Sequence, residues 1–231
     1  LLARDAEIAV HSMKDLPAVL ADGLVLAAVP EREDPRDALC SPRWKTLDAL
    51  PRGARVGTSS LRRSAQLKAL RPDLRIEMVR GNVETRLRKG ETELDGVVLA
   101  YAGLRRLGLA GRASYVFDPS EMLPAVAQGA RALEPRADDA ATLARLARLE
   151  HAETRVRVEA ERGFLRRLEG GCQVPLAGHA TVRGGAVTLQ GLVASLDGSR
   201  VVRGERSGPV AEAARIGAAL AAGPRGEGAP A

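Results

Sequence analysis

A lysine and an aspartate stand side by side in the segment HSMKDLP at 11–17, directly after the apolar run AEIAV at 6–10. Strand ends and the loops that follow them are where rigid scaffolds present reactive groups. Asp15 could therefore serve as a general acid or base, or stabilise positive charge, in a cationic cleft that keeps its carboxylate ionised. The alternative is an exposed turn whose charge pair contributes roughly 0–1 kcal/mol, and the segment alone slightly favours that alternative.

Arginines follow three further predicted strands, in GTSSLRR at 57–63, VRGNVETR at 79–86 and AYAGLRRLG at 100–108. The carboxyl ends of parallel strands share one edge of a sheet, so these side chains could converge on one crevice. Thr58, Ser59 and Ser60 precede a predicted helix, whose free N–H groups favour an anion. Each charge-assisted contact contributes roughly 1.5–3 kcal/mol, so several would hold a polyanion, whereas any single arginine could equally be a solvated surface residue.

The two cysteines have dissimilar surroundings. Cys172 follows two glycines, which allow the backbone to bring sulfur close to a ligand, although a lone loop cysteine is more often structural or incidental. Cys40 has apolar neighbours and is predicted to be a small core residue. His11, His151 and His179 lack the spacing of metal ligands, so we expect no metal.

Composition indicates a globular chain of 231 residues, 45% hydrophobic and 28% charged, with room for one large domain or two to three small ones. It contains no apolar run of the roughly 18 residues that cross a bilayer and no leader before the first strand, so we expect a cytoplasmic protein. The net charge of +6 allows an anionic partner. Only 2% of the residues are aromatic, which offers little for stacking on bases and favours a small anionic ligand over nucleic acid.

Strand-like runs alternate with helical patterns over the first two thirds of the chain, which predicts an α/β fold around a mostly parallel sheet. The strands are expected at 7–10, 24–29, 55–59, 75–79 and 96–100, and the crossover helices at 60–70 and 82–94. A long helical pattern occupies 138–168. Hairpin signals at Gly184-Gly185 and Asp197-Gly198 then predict three strands, followed by a helix near 210–222.

Seven stretches together resemble the porphobilinogen deaminase family, also called hydroxymethylbilane synthases, in that family's order. They are AEIAVHSMKDLP, EREDPRDAL, VGTSSLRRSAQL, RGNVETRL, AYAGLRRLG, LPAVAQGA and LEGGCQVPLAGHA, and the resemblance runs from about Ala6 to about Gly217. It implies a transferase that condenses four porphobilinogens into a linear tetrapyrrole with release of ammonia. It also implies a dipyrromethane cofactor attached through a cysteine thioether.

The resemblance assigns roles residue by residue. It makes Cys172 the attachment point and Asp15 the carboxylate that assists loss of the amino group and stabilises positive charge on pyrrole nitrogens. Ser12 and Lys14 resemble contacts to the cofactor's side chains. The residues that resemble binders of acetate and propionate groups are Thr58, Ser60, Arg62, Arg63, Arg80, Arg86 and Arg106.

The implied fold has three α/β domains, the first two similar to the lobes of periplasmic binding proteins. Domain one is expected at 1–30 and 124–147, domain two at 31–123, and domain three, a small α+β domain, at 148–231. Compared with the ordinary size of a domain, domain one is a remnant that lacks roughly 70 residues. Arg131 departs from the family pattern, which has an aliphatic residue on a strand expected to be buried. We expect a monomer without nucleic-acid or membrane partners, and keep as an alternative a catalytically silent fragment that at most binds pyrrole carboxylates.

Overall fold

Three β-sheets organise residues 1–17, 19–168 and 174–223, the part of the chain that the computed structural model describes. A two-stranded sheet pairs β1 (Ile8–Ser12) with β7 (Arg131–Pro135). A five-stranded sheet has the order β4-β3-β5-β2-β6, and a three-stranded sheet has the order β10-β9-β8. Helices pack against these sheets, so the mixed α/β class predicted from the sequence is confirmed. The predicted division into three domains stays a prediction.

The five-stranded sheet is mixed, whereas the sequence predicted a mostly parallel one. Its strands are β2 (Asp37–Cys40), β3 (Arg55–Gly57), β4 (Arg75–Glu77), β5 (Gly96–Ala100) and β6 (Tyr115–Val116). Strand β3 runs parallel to its neighbours β4 and β5, but β2 is antiparallel to β5 and β6. The repeated strand–helix pattern reaches only β3, β4 and β5, and so it could not reveal the direction of β2.

Three helices follow strands of this sheet: α1 (Leu61–Leu70), α2 (Val83–Thr92) and α3 (Tyr101–Arg106). Ser60 caps α1 by accepting a hydrogen bond from the Arg63 amide, and Asn82 caps α2 in the same way from Thr85. Such caps satisfy donors that lack a partner inside the helix. Both helices begin one residue after the starts predicted from the sequence, at 61 rather than 60 and at 83 rather than 82.

The β1–β7 sheet departs from the expectation of buried strands. Ile8 and Val10 on β1 are 39% and 63% exposed, because this sheet has only two strands. Arg131 is exposed as well, since it opens β7 on an accessible face, and the expectation that it would be buried is wrong. The strand predicted at 24–29 forms only isolated bridges from Leu24 and Ala28, so that prediction also fails.

The C-terminal part of the described chain is an antiparallel sheet covered by helices. Its strands are β8 (Leu176–Arg183), β9 (Ala186–Ala194) and β10 (Val201–Pro209); a two-residue turn joins β8 to β9, and residues 195–200 connect β9 to β10. Gly184 and Gly185 have φ of 55° and 78°, the left-handed values that a primed hairpin turn requires, which confirms that turn. Helices α4 (Ala140–Leu146), α5 (Ala152–Arg167) and α6 (Ala213–Ala221) complete the fold. None of the helices in the described ranges is long and apolar enough to cross a bilayer.

A buried carboxylate on α5 ties distant segments together. Glu161 is fully buried, and it accepts hydrogen bonds from Arg32 at 2.7 Å, from the Ala127 amide at 2.5 Å and from the Ala180 amide at 2.8 Å. A buried charge is stable only when it is paired and its lone pairs are satisfied, which these bonds achieve. Glu161 thereby fixes α5 and β8 relative to the segments that approach the site described next.

Candidate active site

The segment that carries Lys14 and Asp15 is a short 3₁₀ turn, Met13–Asp15, at the end of β1. The Met13 side chain is 1% exposed, and its amide donates to the carbonyl of Ala130 at 3.0 Å. From α5, Arg162 donates to the carbonyl of Leu16 at 3.1 Å. The turn is thus held on both sides, while Lys14 and Asp15 themselves are exposed.

Two of the predicted anion binders, Arg62 and Arg63, are buried against a carboxylate that sequence reasoning missed. Nη1 of Arg62 lies 2.6 Å from Asp37, and Nε of Arg63 donates to Asp37 at 2.9 Å. The amide of Gln128 donates to the same carboxylate at 2.9 Å. Burial alone would raise the pKa of Asp37, but the charges of Arg62 and Arg63 hold it well below its usual range. One carboxylate therefore faces two guanidinium groups.

One donor in this network has no acceptor within the described residues. Nη1 of Arg62 donates to both Asp37 and the carbonyl of Leu123, yet Nε of Arg62 is buried without a hydrogen-bond partner. An unsatisfied buried donor of a charged group costs roughly 1–3 kcal/mol or more.

Lys14 lies close enough to Arg62 and Arg63 for their charges to act on it. Desolvation, followed by the charge of Arg63, lowers the pKa of Lys14 to about 8, and the neighbouring Asp15 opposes the shift only in part. Lys14 keeps some solvent contact. Burial is the larger cause of its lowered pKa, and the charges of Arg63 and Arg62 add to it.

Arg86 adds a fourth cation. Burial lowers the pKa of Arg63, Asp37 acts against that shift, and the charges of Arg62 and Arg86 lower it further. We call Lys14, Arg62, Arg63 and Arg86 the cationic cluster. Four cations and two nearby carboxylates, those of Asp15 and Asp37, leave a formal surplus of two positive charges. This surplus fits a ligand with several carboxylates.

The remaining predicted residues are distributed around this cluster. Thr58 is buried and accepts a hydrogen bond from the Ser60 amide, so both hydroxyl groups shape the turn before α1. Arg80 is exposed, and within the described residues no hydrogen bond or ion pair connects it to the cluster. Arg106 is not part of the cluster, and it donates a hydrogen bond to the carbonyl of Gly129 at 2.5 Å. Ser12 is exposed at the end of β1, opposite Arg131.

Cys172 and the glycine pair before it lie outside the described residues. Cys40 is 5% exposed, as expected for a core residue, and burial raises the pKa of its thiol to about 12. The missed residues, Asp37 and Gln128, do leave a trace in the sequence. An aspartate that opens the otherwise apolar run DALC has to find a buried cation.

This α/β fold brings the cationic cluster close to the exposed carboxylate of Asp15. Such a combination defines an enzyme-like site for a small polyanion. Two family models match the chain: "Porphobilinogen deaminase, dipyromethane cofactor binding domain" over residues 1–144, and "Porphobilinogen deaminase, C-terminal domain" over residues 155–223. The chain belongs to the porphobilinogen deaminase family, a family of transferases with a dipyrromethane cofactor.

Individual relatives agree with this assignment. The chain is 52% identical over 218 residues to a porphobilinogen deaminase of Syntrophobacter fumaroxidans, and the match covers 94% of this chain and 71% of the relative. It is 56% identical over 223 residues to that of Nitratidesulfovibrio vulgaris strain Hildenborough, covering 96% and 71% of the two chains. These matches give no support to the alternative of a catalytically silent fragment.

Among solved structures, a putative methionine-binding lipoprotein from Bacillus subtilis is 19% identical to the chain. The match has a TM-score of 0.40 and covers 56% of this chain and 62% of that one. A likeness at that level does not define the fold.

Proposed function

We propose that the chain acts as a hydroxymethylbilane synthase, condensing four porphobilinogens head to tail into a linear tetrapyrrole with release of ammonia. The observation that carries the proposal is the cationic cluster, which includes Lys14 next to Asp15 and, with Asp15 and Asp37 counted, has more positive than negative charge. A dipyrromethane held through the Cys172 thioether supplies a pyrrole carbon as the point at which the tetrapyrrole grows. All other roles fall to side chains of this chain.

Substrate charge explains why several fixed cations are needed. Each porphobilinogen unit brings an acetate and a propionate, so the product of repeated condensation is a polyanion. Arg62, Arg63 and Arg86 bind these carboxylates with Lys14, the first two held in place by Asp37. Ser12, Thr58 and Ser60 add hydroxyl donors, while Arg80 and Arg106 bind carboxylates further from the turn. Guanidinium forks suit this task because they match carboxylate geometry.

Asp15 is the residue that we assign to the chemical step. It is exposed on a held turn, and no side chain in the described ranges donates a hydrogen bond to it. As the C–N bond of the substrate breaks and ammonia leaves, its carboxylate stabilises the positive charge on the pyrrole nitrogen. Each condensation loses one amino group and one pyrrole C–H proton, which together balance as ammonia. Asp15 assists that proton transfer.

The proposal includes the organisation of the whole chain. We assign domain one to 1–30 and 124–147, domain two to 31–123 and domain three, with Cys172, to 148–231. The protein works as a cytoplasmic monomer on a small molecule, with no nucleic acid or membrane as partner. Binding of an RNA that weakens steeply with rising salt would contradict the last point.

Intact mass and turnover test the proposal together. The chain is expressed in a host that makes porphobilinogen and weighed, and the purified protein is then assayed for tetrapyrrole formation and ammonia release. We expect an added mass of one dipyrromethane that is lost in Cys172→Ser and retained in Cys40→Ser. A bare polypeptide mass together with no turnover would overturn the proposal.

A further inference from the structure

A recess of about 650 Å³ shares no residue with the cationic cluster, and among its lining residues only Arg106 has a role in the function proposed so far. It is lined by residues 30–34 together with Arg105, Arg106 and Arg131. We propose that Arg106 and Arg131 form a two-guanidinium subsite for one carboxylate side group of the substrate or of the growing product. The inference rests on the proposed function and adds Arg131 as a residue that determines affinity.

The β1–β7 register places Arg131 near the Met13–Asp15 turn, which carries the residue assigned to the chemical step. Arg131 opens β7 directly opposite Ser12, the last residue of β1. Residues opposite each other in an antiparallel pair project from the same face of the sheet. Both residues are exposed, and Ser12 is only three positions before Asp15. A ligand at Asp15 therefore lies near the Arg131 side chain.

Arg106 is held in place from behind. It belongs to the last turn of α3, and its Nη2 donates to the carbonyl of Gly129, which also accepts the Glu33 amide at 3.3 Å. Gly129 has φ of 88°, and a Cβ there would lie 2.3 Å from the carbonyl oxygen of Glu33. Only glycine permits this close approach, so the wall that holds Arg106 is built into the backbone.

Two of the three carboxylates that line the recess already have partners, whereas the third, Glu31, is exposed and forms no ion pair in the described ranges. Glu33 pairs with Arg105 at 3.0 Å, and Asp34 pairs with Arg36 at 2.6 Å. Arg106 and Arg131, in contrast, form no ion pair with any residue in the described ranges. Burial and then the charge of Arg131 lower the pKa of Arg106, which Glu33 counteracts only in part. Two guanidinium groups that disfavour each other are stabilised by a shared anion.

A carboxylate is the anion that this site selects within the proposed reaction. Its two oxygens can accept from two guanidinium forks at once, and the substrate carries carboxylates as its only anionic groups. Inorganic phosphate has similar chemistry and should compete weakly, which provides a probe independent of turnover.

The test compares Arg131→Ala with Arg88→Ala. Arg88 is an exposed arginine on α2, so both variants remove one exposed positive charge and change the net charge equally. Loss of one charge-assisted contact should raise the KM for porphobilinogen roughly 10-fold or more in Arg131→Ala, with kcat within about twofold. Arg131→Lys should recover part of the loss, inhibition by phosphate should weaken in Arg131→Ala, and Arg88→Ala should behave as wild type.

The outcomes separate this inference from the proposed function. If the wild-type chain turns over porphobilinogen and Arg131→Ala retains its KM, or if both alanine variants raise KM equally, the subsite is disproved while the proposed function stands. If the wild-type chain neither acquires the dipyrromethane mass nor turns over, the proposed function itself fails. A thermal melt of Arg131→Ala that matches wild type confirms that the comparison concerns binding.

Discussion

The Asp37 carboxylate lies 2.6 Å from Nη1 of Arg62, and both side chains are buried. Because Arg63 shares this carboxylate, Asp37 neutralises only one of two adjacent guanidinium groups. The other charge is compensated by the Arg63 contact to Gln128 and by backbone carbonyls, which are dipoles rather than anions. The fold therefore keeps an excess of positive charge at the start of α1 and retains it for a ligand.

Asp37→Asn should destabilise the protein by about 3–5 kcal/mol, because it leaves two buried guanidinium groups without a counter-charge. Urea unfolding followed by circular dichroism measures this loss. The matched control is Asp138→Asn, whose carboxylate and its partner Arg4 are both 68% exposed and should contribute under about 1 kcal/mol. Equal losses of unfolding free energy in the two variants would show that Asp37 does not stabilise the buried guanidinium groups.

Lowering the pH should remove the contribution of the Asp37 carboxylate to stability. The folded-state pKa of Asp37 lies below its unfolded value of 3.8, so its contribution to stability is complete above pH 3.8. That contribution is lost as the pH falls through the folded-state pKa. The difference in unfolding free energy between wild type and Asp37→Asn should shrink as the pH falls below about 4. A difference independent of pH would contradict this assignment.

Binding of a polyanion should cause proton uptake by Lys14 near pH 8. The pKa of Lys14 is about 8 in the free protein, so about half of these side chains are neutral at that pH. Carboxylates placed beside Lys14 raise its pKa and draw a proton from the buffer. Calorimetry with porphobilinogen in two buffers of different ionisation enthalpy measures the uptake, which should disappear in Lys14→Met. Heats independent of the buffer in the wild type would refute the prediction.

Lys14 also makes stability depend on pH, in the direction opposite to that of a lysine paired with a carboxylate. Its folded-state pKa is lowered, so the unfolded chain binds the proton more tightly at pH values between about 8 and 10.5. Stability should therefore rise as the pH increases through this window, and the rise should be absent in Lys14→Met. Thermal melts of both proteins across that range test it.

Asp15→Asn should reduce turnover by roughly 10²- to 10⁴-fold, the usual contribution of a positioned acid or base. The fold should be unaffected, because Asp15 is exposed and makes no side-chain hydrogen bond within the described residues. The control is Asp22→Asn, another exposed aspartate, which should retain full activity. Turnover within a factor of three of wild type in Asp15→Asn would remove this residue from the mechanism.

Gly217→Ala should weaken the packing of α6 on α5. A Cβ at Gly217 would lie 1.9 Å from the carbonyl oxygen of Ala160, so the helices must separate. We expect a loss of about 1–3 kcal/mol, typical of overpacking, in urea unfolding. Gly111→Ala is the matched control, since nothing lies within 4 Å of its added methyl group, and it should change stability by under about 0.5 kcal/mol.

Sequence patterns predicted most accurately those elements whose local signal and burial agree. The strand at 96–100 was predicted with its observed bounds, and the helix predicted at 60–70 differs from α1 by one residue. The segment 24–29 is equally apolar, but it only borders β7 through isolated bridges. The segment is apolar because neighbouring segments bury it, and composition alone cannot distinguish such a segment from a strand.

The candidate site shows a similar division. Local motifs identified Lys14, Asp15 and the arginine pair of α1, because strand ends and helix starts are visible in sequence. The partner of that pair was missed, since Asp37 lies 25 residues from Arg62 and the contact depends on how β2 enters the sheet. The surroundings of Arg131 were misjudged because a two-stranded sheet exposes faces that a larger sheet would cover.

Glu161 has a consequence for how the protein reaches its native state. Its carboxylate joins residues that are 129, 34 and 19 positions away along the chain, so its hydrogen bonds are complete only after every one of these loops has closed. Contacts of such range slow the search for the native topology. If the bonds of Glu161 are absent from the transition state for folding, as we expect, they slow unfolding without accelerating folding.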